Sequence, residues 1–238
     1  MSGEDFKNGK LLLIDKPLKW TSFQVVNKLR WHIRKAFDIG KIKVGHAGTL
    51  DPLATGLLLI CTGKKTKEIG YYQGQKKGYT GTLILGSSTP SFDLETEIDR
   101  NFSTNHITES LINETTRNFI GEIKQYPPIF SAIKKDGKRL YQYARAGKEV
   151  DIKSRQISVD EFKITNIRGL EIDFKIQCSK GTYIPSLVND FGKALDSGAH
   201  LSSLRRINIG RYSVNDAIKI KDFTEICEKS GNIKSYKE

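Results

Sequence analysis

Asp51 is the residue whose type and setting first suggest chemistry. It lies in the stretch KVGHAGTLDPLATG, residues 43–56, which is followed at once by the apolar run LLLIC, residues 57–61. Glycines and a proline favour a loop, and a short apolar run bounded by turn residues is typical of a buried strand. Glycines beside a carboxylate also let another molecule approach closely. The alternative is a structural Asp-Pro turn, in which the side chain binds nearby backbone N–H groups.

The longer pattern favours the functional interpretation. Residues 45–56, GHAGTLDPLATG, with Gly63 and Thr66-Lys67 after them, resemble the signature of the TruB family, the tRNA pseudouridine synthases that act on the T-loop uridine at tRNA position 55. The resemblance implies an isomerase (an intramolecular transferase) in which Asp51 is the catalytic residue. The uridine is flipped from its stack, its N1–C1′ bond breaks, and the turned base is rejoined through C5. The carboxylate could attack C1′, add to the ring or take the C2′ proton, and the sequence does not separate these routes.

The resemblance also assigns substrate-binding residues. It implies that His46 helps to expel the base, although a neutral structural histidine is the alternative. Tyr79 stands at the position of the tyrosine that stacks on the flipped base. Tyr183 and Leu204 match a second pocket residue and the apolar residue that lines the pocket. Lys67 matches the lysine that closes the first motif, where it is either structural or in contact with a phosphate.

One position departs from the family pattern. The family reads Gly-Thr-Tyr-Ile-Arg, with an arginine that pairs with the catalytic carboxylate, whereas this chain has Pro185. Proline is accepted in the first turn of a helix, so we expect the fold to survive. A buried carboxylate without its partner would have a raised pKa. Lys180, Arg205 and Arg206 are the candidates to replace the arginine, although a lysine would not reproduce a bidentate guanidinium.

Residues 121–153 are rich in basic and aromatic side chains. Such a mixture suits contact with RNA phosphates and stacking on bases, and an ordinary exposed loop and helix is the alternative. The resemblance implies an inserted thumb that clamps the T-arm of tRNA. The expected RNA contacts in the thumb are Lys134, Lys138, Arg139, Tyr141 and Arg145.

The surrounding elements predict an α/β (α+β) fold. Helical spacing of apolar residues after Thr21 predicts a helix whose other face carries four basic residues, and this face is either a phosphate track or simply solvated. Alternating apolar residues predict a hairpin over residues 162–178. The remaining predictions are strands at 11–14, 57–61, 79–85 and 207–212 and helices at 64–72, 108–119, 185–195 and 216–228. The resemblance implies a mixed, largely antiparallel sheet with flanking helices.

Composition points to a nucleic-acid partner. The chain has 39 basic and 27 acidic residues, a formal net charge of +12, which attracts polyanions. Cys61, Cys178 and Cys227 are far apart and show no metal-binding spacing, so we expect reduced core cysteines and a cytoplasmic protein. No apolar run is long enough to span a membrane.

The expected organisation is one catalytic domain over residues 1–238, with the thumb at about 121–153 and no separate C-terminal RNA-binding domain. The resemblance implies no cofactor, since the reaction needs neither redox change nor energy input. It implies tRNA, through its T-arm and T-loop, as partner, and we expect a monomer. Because of Pro185, a catalytically weak or inactive tRNA-binding folding chaperone is the alternative function. A basic protein that binds polyanions without base chemistry is a third.

Overall fold

The computed structural model of the protein describes residues 1–131, 134–135, 137–148 and 150–231, and the structural statements below concern these residues. The chain forms two compact units. Unit 1 consists of Met1–Gly78 and the segment that begins at Arg205, and unit 2 consists of Tyr79–Leu204. None of the described helices combines the length and the apolar character that a membrane crossing needs.

The described elements follow one another along the chain in a mixed order. The strands are β1 (Leu11–Lys16), β2 (Val44–His46), β3 (Ala54–Thr62), β4 (Lys77–Leu85), β5 (Ser87–Ser88), β6 (Arg100–Asn101), β7 (Gly121–Gln125), β8 (Lys134–Lys135), β9 (Lys138–Arg139), β10 (Arg155–Arg168), β11 (Glu171–Cys178), β12 (Ala199–Ile209), β13 (Tyr212–Ser213) and β14 (Ile218–Lys219). The α-helices are α1 (Gly3–Asn8), α2 (Ser22–Ala36), α3 (Ile69–Gly74), α4 (Glu109–Thr116), α5 (Leu140–Arg145), α6 (Ile184–Ala194) and α7 (Ile220–Ser230). Short 3₁₀ helices cover Gly63–Glu68, Arg117–Phe119 and Val214–Asp216.

Unit 1 is organised around β3. The strand order is β14-β1-β3-β12, with β2 also paired to β3 and β13 to β12. β1 is antiparallel to β3, and β14 is parallel to β1. Leu58 and Ile60 pack with α2 and α7 on one face, while Leu57 and Leu59 join a second apolar cluster on the other. Because both faces are covered, the strand is an unbroken apolar run in the sequence and not an alternating one.

α2 begins where its sequence predicts. The Thr21 hydroxyl accepts a hydrogen bond from the Gln24 N–H, and the Gln24 side chain accepts one from the Thr21 N–H, which forms a capping box. One side of the helix is buried in the core of unit 1 through Val25, Val26, Leu29 and Ile33. The opposite side is exposed, and it carries Lys28, Trp31, Arg34 and Lys35.

Unit 2 contains the predicted hairpin. β10 and β11 pair antiparallel and turn at Gly169, which has a φ of +61°. The strand order is β4-β11-β10-β7, with β12 next to β4. Rings of the buried aromatic residues pack in tilted or edge-on pairs with centroids 5.2 to 6.2 Å apart, and these residues are Phe119, Phe162, Phe174 and Phe191. α6 adds Leu187 and Val188 to the buried residues.

The structure confirms the predicted fold class and corrects several bounds. The last helix begins at Ile220 and not at residue 216, because Val214–Asp216 is a 3₁₀ turn and β14 pairs with β1 before the helix. The segment 64–72 is a 3₁₀ helix followed by α3 and not one helix. At the start of the predicted thumb, β7 pairs with β10, and β8, β9 and α5 follow. The single-domain organisation and the thumb limits stay predictions.

Gly56 is required where β3 meets β12. Its φ is +102°, and a Cβ there would lie 2.3 Å from the Arg206 carbonyl oxygen. We therefore expect Gly56→Ala to lower the free energy of unfolding by about 3 kcal/mol or more, as measured by urea denaturation. Gly70→Ala is the control, because nothing lies within 4 Å of a Cβ at that helical position. Equal effects of the two changes would contradict the prediction.

Candidate active site

Asp51 lies in the loop between β2 and β3, and its side chain is exposed to solvent. The loop leaves β2 with a hydrogen bond from the Ala47 N–H to the Leu59 carbonyl at 2.9 Å. It closes with one from the Ala54 N–H to the Asp51 carbonyl at 3.1 Å. Ala47, Leu50 and Ala54 are buried on either side. The expectation of a buried carboxylate is therefore wrong, because the tight turn directs this side chain towards solvent.

A buried guanidinium holds the loop against β3. Arg206 on β12 is only 1% exposed. Its Nε donates to the Leu57 carbonyl at 2.8 Å, and its two terminal nitrogens donate to the Thr49 and Gly48 carbonyls at 3.2 and 3.3 Å. Gly48 has a φ of +103°, a conformation that favours glycine. Gly48 and Thr49, which precede Asp51 in the loop, are thus tied to the sheet by one side chain.

The start of α2 holds the loop from another side. The Ser22 hydroxyl is buried, accepts the Leu50 N–H at 2.8 Å and donates to the Leu50 carbonyl at 3.0 Å. The Lys19 N–H donates to the Pro52 carbonyl at 2.8 Å. Both neighbours of Asp51 in the chain therefore have fixed backbones. An exposed carboxylate on an immobilised backbone is preorganised for a substrate that comes from solvent.

Lys16 is the second buried cation of this region. It is 0% exposed, and its Nζ donates to the Trp20 carbonyl at 2.6 Å and to the Pro52 carbonyl at 3.5 Å. Burial lowers the pKa of Lys16 to about 8; the negative charge of Asp51 opposes this shift, and the positive charge of Arg206 adds to it. Lys16 therefore lies within electrostatic range of both Asp51 and Arg206.

Of the three candidates to replace the family's arginine, Arg205 and Arg206 lie in unit 1 and Lys180 lies exposed in unit 2. Arg205 forms a bidentate pair with Asp15, with distances of 3.0 and 2.7 Å, and reaches the Thr55 hydroxyl at 3.4 Å. The Nε and both terminal nitrogens of Arg206 donate to backbone carbonyls, as described above. Which cation serves the Asp51 carboxylate in a substrate complex stays a prediction.

His46 and Lys67 are the other predicted site residues of unit 1. His46 is partly buried at the end of β2. Burial lowers the pKa of His46, the backbone of Gly48 opposes this, and the charge of Arg206 adds to it. A lowered pKa keeps the imidazole neutral at physiological pH, which suits packing against nucleobases. Lys67 is exposed on the 3₁₀ helix that follows β3.

The predicted pocket residues belong to unit 2. Tyr79 and Leu204 are each 7% exposed. Tyr183 is held by the buried Gln125, whose side-chain oxygen accepts the Tyr183 N–H at 2.8 Å and whose NH₂ donates to the Tyr183 carbonyl at 3.0 Å. The guanidinium carbon of Arg155 lies 5.3 Å from the centroid of the Tyr183 ring, in a cation–π contact. The backbone of Tyr183 is therefore fixed by Gln125, and its ring has a cationic neighbour in Arg155.

Pro185 occupies a helix position that tolerates proline. It is buried in the first turn of α6, directly after Ile184. Its ring has no N–H to leave unsatisfied at this end of the helix, so α6 forms without the arginine.

The thumb residues are described only in part. Lys138 and Arg139 are exposed on β9, which pairs with β8. The side chains of Lys134, Tyr141 and Arg145 lie outside the described part of the chain. Their contacts with RNA stay predictions.

Sequence reasoning missed Ser22, Lys16 and Arg155 as parts of the site. Ser22 has no signal beyond its place at the start of the predicted helix, because its bonds to Leu50 cross from one element to another. Lys16 ends an apolar strand and is followed by a proline, a position that is usually a surface turn. Arg155 has no local signal, since its contact with Tyr183 depends on how β10 and α6 pack. No group of metal-binding side chains occurs among the described residues.

Two family models match nearly the whole chain. The first is described as TruB family pseudouridylate synthase (N terminal domain) and matches residues 34–184. The second is described as tRNA pseudouridylate synthase B C-terminal domain and matches residues 186–236. Together with the loop that presents Asp51, they define the chain as a pseudouridylate synthase, a class of isomerase. The chain belongs to the TruB family.

Relatives agree over almost their full length. The chain is 62% identical over 226 residues to tRNA pseudouridine synthase B of Flavobacterium johnsoniae. The matched segment covers 94% of this chain and 99% of the relative. It is 52% identical over 221 residues to tRNA pseudouridine synthase B of Phocaeicola vulgatus, and this match covers 93% of this chain and 94% of the relative.

Solved structures share the fold. A chain from a Cbf5-Nop10-Gar1 complex matches with a TM-score of 0.68 at 27% identity, over 92% of this chain and 54% of its own. A chain from an H/ACA RNP bound to a substrate RNA containing 2′-deoxyuridine matches with a TM-score of 0.67 at 26% identity, over 97% of this chain and 57% of its own. This protein thus spans little more than half the length of those two chains.

The role of Arg206 can be tested with Arg206→Lys. The lysine keeps the charge but cannot reach three carbonyls from one planar fork, so buried acceptors are left unsatisfied. We expect a loss of about 2–4 kcal/mol in the free energy of unfolding and a fall in turnover of at least about tenfold, since a misplaced catalytic group is costly. The control is Arg211→Lys on an exposed arginine of the same unit. If Arg206→Lys matched this control in both measurements, the loop would not depend on the fork.

The lowered pKa of Lys16 predicts a pH dependence of stability. From about pH 8 to the ordinary lysine pKa of 10.5, the folded state releases this proton while the unfolded state keeps it. The contribution of Lys16 to the free energy of unfolding should therefore rise with pH in this window, by up to about 3 kcal/mol. The measurement is the difference between wild type and Lys16→Met at pH 8 and at pH 10.5. A difference that stays constant or shrinks would contradict the prediction.

Proposed function

We propose that this protein is a tRNA pseudouridine synthase that converts the T-loop uridine at tRNA position 55 to pseudouridine. The observation that carries the proposal is the exposed Asp51 carboxylate on a loop that Arg206, Ser22 and Lys19 hold by its backbone. The two relatives described above, both named tRNA pseudouridine synthase B, support tRNA as the substrate. With this substrate, and with three buried free cysteines, we also propose a cytoplasmic location.

In the proposed reaction the target uridine leaves the RNA stack, at a cost of a few kcal/mol, and less for a loop base. His46 takes part in displacing the base, because a neutral ring can occupy the space that the base leaves. Tyr79 stacks on the flipped base, with Tyr183 and Leu204 as further walls of its pocket.

The chemistry centres on Asp51. The N1–C1′ bond of uridine breaks, the base turns, and a C5–C1′ bond forms; C5 loses its hydrogen as a proton, and N1 gains one. Asp51 acts at C1′, on the ring or on the C2′ proton. Lys16 interacts with the charge of Asp51, and a nearby cation favours the charged carboxylate, which is the form that can act as a nucleophile or base.

The wider RNA contact comes from cationic side chains. Lys67, Lys180 and Arg205 are the candidates for phosphate contacts near the pocket, and Arg205 can change partner from Asp15 because the pair is partly exposed. The thumb, through residues such as Lys138 and Arg139, holds the T-arm. Such contacts make tRNA affinity fall steeply with salt concentration.

Tritium release tests the proposal directly. With tRNA that carries 5-tritiated uridine, we expect Asp51→Asn to release tritium at least about 10²–10⁴-fold more slowly than wild type. Asp38→Asn is the matched control, since Asp38 is exposed and its φ of +48° suits asparagine. A tRNA with cytidine at position 55 should give no release above background. Equal rates for wild type and Asp51→Asn would refute the catalytic role.

The same assay separates the alternative function. Pro185 in place of the family's arginine is the observation that favours a tRNA-binding folding chaperone of weak or no catalytic activity. That function predicts tight, salt-dependent binding of tRNA by wild type without pseudouridine formation. Multiple turnover by wild type would exclude it.

A further inference from the structure

The exposed side of α2 carries a tryptophan between two lysines. Trp31 is 52% exposed. The amino groups of Lys28 and Lys35 lie 5.9 and 4.8 Å from the centroid of its ring. The ring of His32, which is buried, meets the indole edge-on at 4.6 Å between centroids. The three exposed residues Lys28, Trp31 and Lys35 are called the α2 stripe below.

Ordinary structural roles explain the stripe only in part. Arg34 and Lys35 lie in the last turn of α2, where cations offset the helix dipole. This does not account for Lys28 in the middle of the helix or for an indole left half in water, where most of its apolar area stabilises nothing. α2 contains no aspartate or glutamate. The stripe is thus a rigid aromatic face with positive charge on either side.

The position of the stripe relates it to the catalytic loop, because both belong to unit 1. Ser22, the first residue of α2, holds Leu50 next to Asp51. At 1.5 Å per residue, Lys28 and Lys35 lie about 9 and 20 Å farther along the helix axis. With a rise of about 3.4 Å per stacked nucleotide, this corresponds to about three to six nucleotides.

We propose that the α2 stripe is a second RNA-binding site, which takes an unpaired base of the substrate RNA on the Trp31 indole and neighbouring phosphates on Lys28 and Lys35. Aromatic stacking between cations is how proteins bind unpaired nucleotides, and the stripe offers these groups at fixed positions. The proposal rests on RNA being the substrate, as proposed above. α2 has a second large exposed ring, Phe23 at 62% exposed, about two turns before Trp31. The occupant is RNA and not a protein or a membrane, because lysine amino groups lie against the Trp31 ring and the helix has no acidic residue.

Binding measurements with unmodified tRNA test the stripe. In an Asp51→Asn background, which prevents turnover, Trp31→Ala should raise the Kd about tenfold, and Trp31→Phe should recover most of the affinity. Lys28→Ala with Lys35→Ala should reduce the slope of log Kd against log salt by about 1.4. Lys221→Ala on α7, with its side chain 84% exposed, is the control and should stay within twofold. A Kd for Trp31→Ala within twofold of its parent would overturn the proposal.

Fluorescence gives a readout that a merely structural role would not move. The chain has two tryptophans, so Trp20→Phe leaves Trp31 as the sole indole. Stoichiometric quenching of its emission by tRNA is expected, since a stacked base quenches an indole. Unchanged emission at saturating tRNA would overturn the proposal.

The stripe and the proposed function can fail separately. If wild type forms no pseudouridine while Trp31→Ala still weakens tRNA binding, the proposed function fails and the stripe stands. If pseudouridine forms normally and neither affinity nor KM changes in Trp31→Ala, the stripe fails and the function stands.

Discussion

The contact between the Arg206 guanidinium and three backbone carbonyls is the interaction on which the site depends. A guanidinium that is 1% exposed would be strongly unfavourable in an apolar interior without acceptors. The carbonyls of Gly48, Thr49 and Leu57 supply them. The benefit is mutual, because the Gly48–Thr49 segment is a loop that has no strand to pair with. One side chain therefore satisfies buried polar groups on both the loop and the strand.

This arrangement needs close contact between β3 and β12, and glycine provides it. The backbone of Arg206 passes so near Gly56 that any Cβ would collide with it. The same strand, β3, is packed on both faces, and dense apolar packing of this kind opposes local opening. The backbone of the Asp51 loop is therefore held by a core strand, by a residue of a neighbouring strand and by the first residue of α2. A loop that carries a reactive group gains its precision from such supports and not from its own sequence.

The sequence predicted those features that local chemistry determines. The helix after Thr21 and the hairpin of alternating apolar residues over 162–178 each depend on local sequence patterns, and the structure confirms them. The Asp51 loop was found because its whole pattern is contiguous. Arg206 was named only as a substitute for a missing arginine, since its true contacts depend on the pairing of strands that are about 150 residues apart in the chain. Lys16, Ser22 and Arg155 were missed for the same reason.

The burial of Asp51 was mispredicted for an instructive reason. Ala47, Leu50 and Ala54 are buried, whereas Thr49, Asp51 and Pro52 between them are exposed, and the sequence pattern does not distinguish the two sets. Lys16 is fixed in the scaffold of unit 1, and its charge interacts with that of Asp51 whether or not substrate is bound. The α2 helix contributes at two places. Its first residue, Ser22, fixes the loop, and its exposed side presents positive charge and an aromatic ring that suit the proposed RNA substrate.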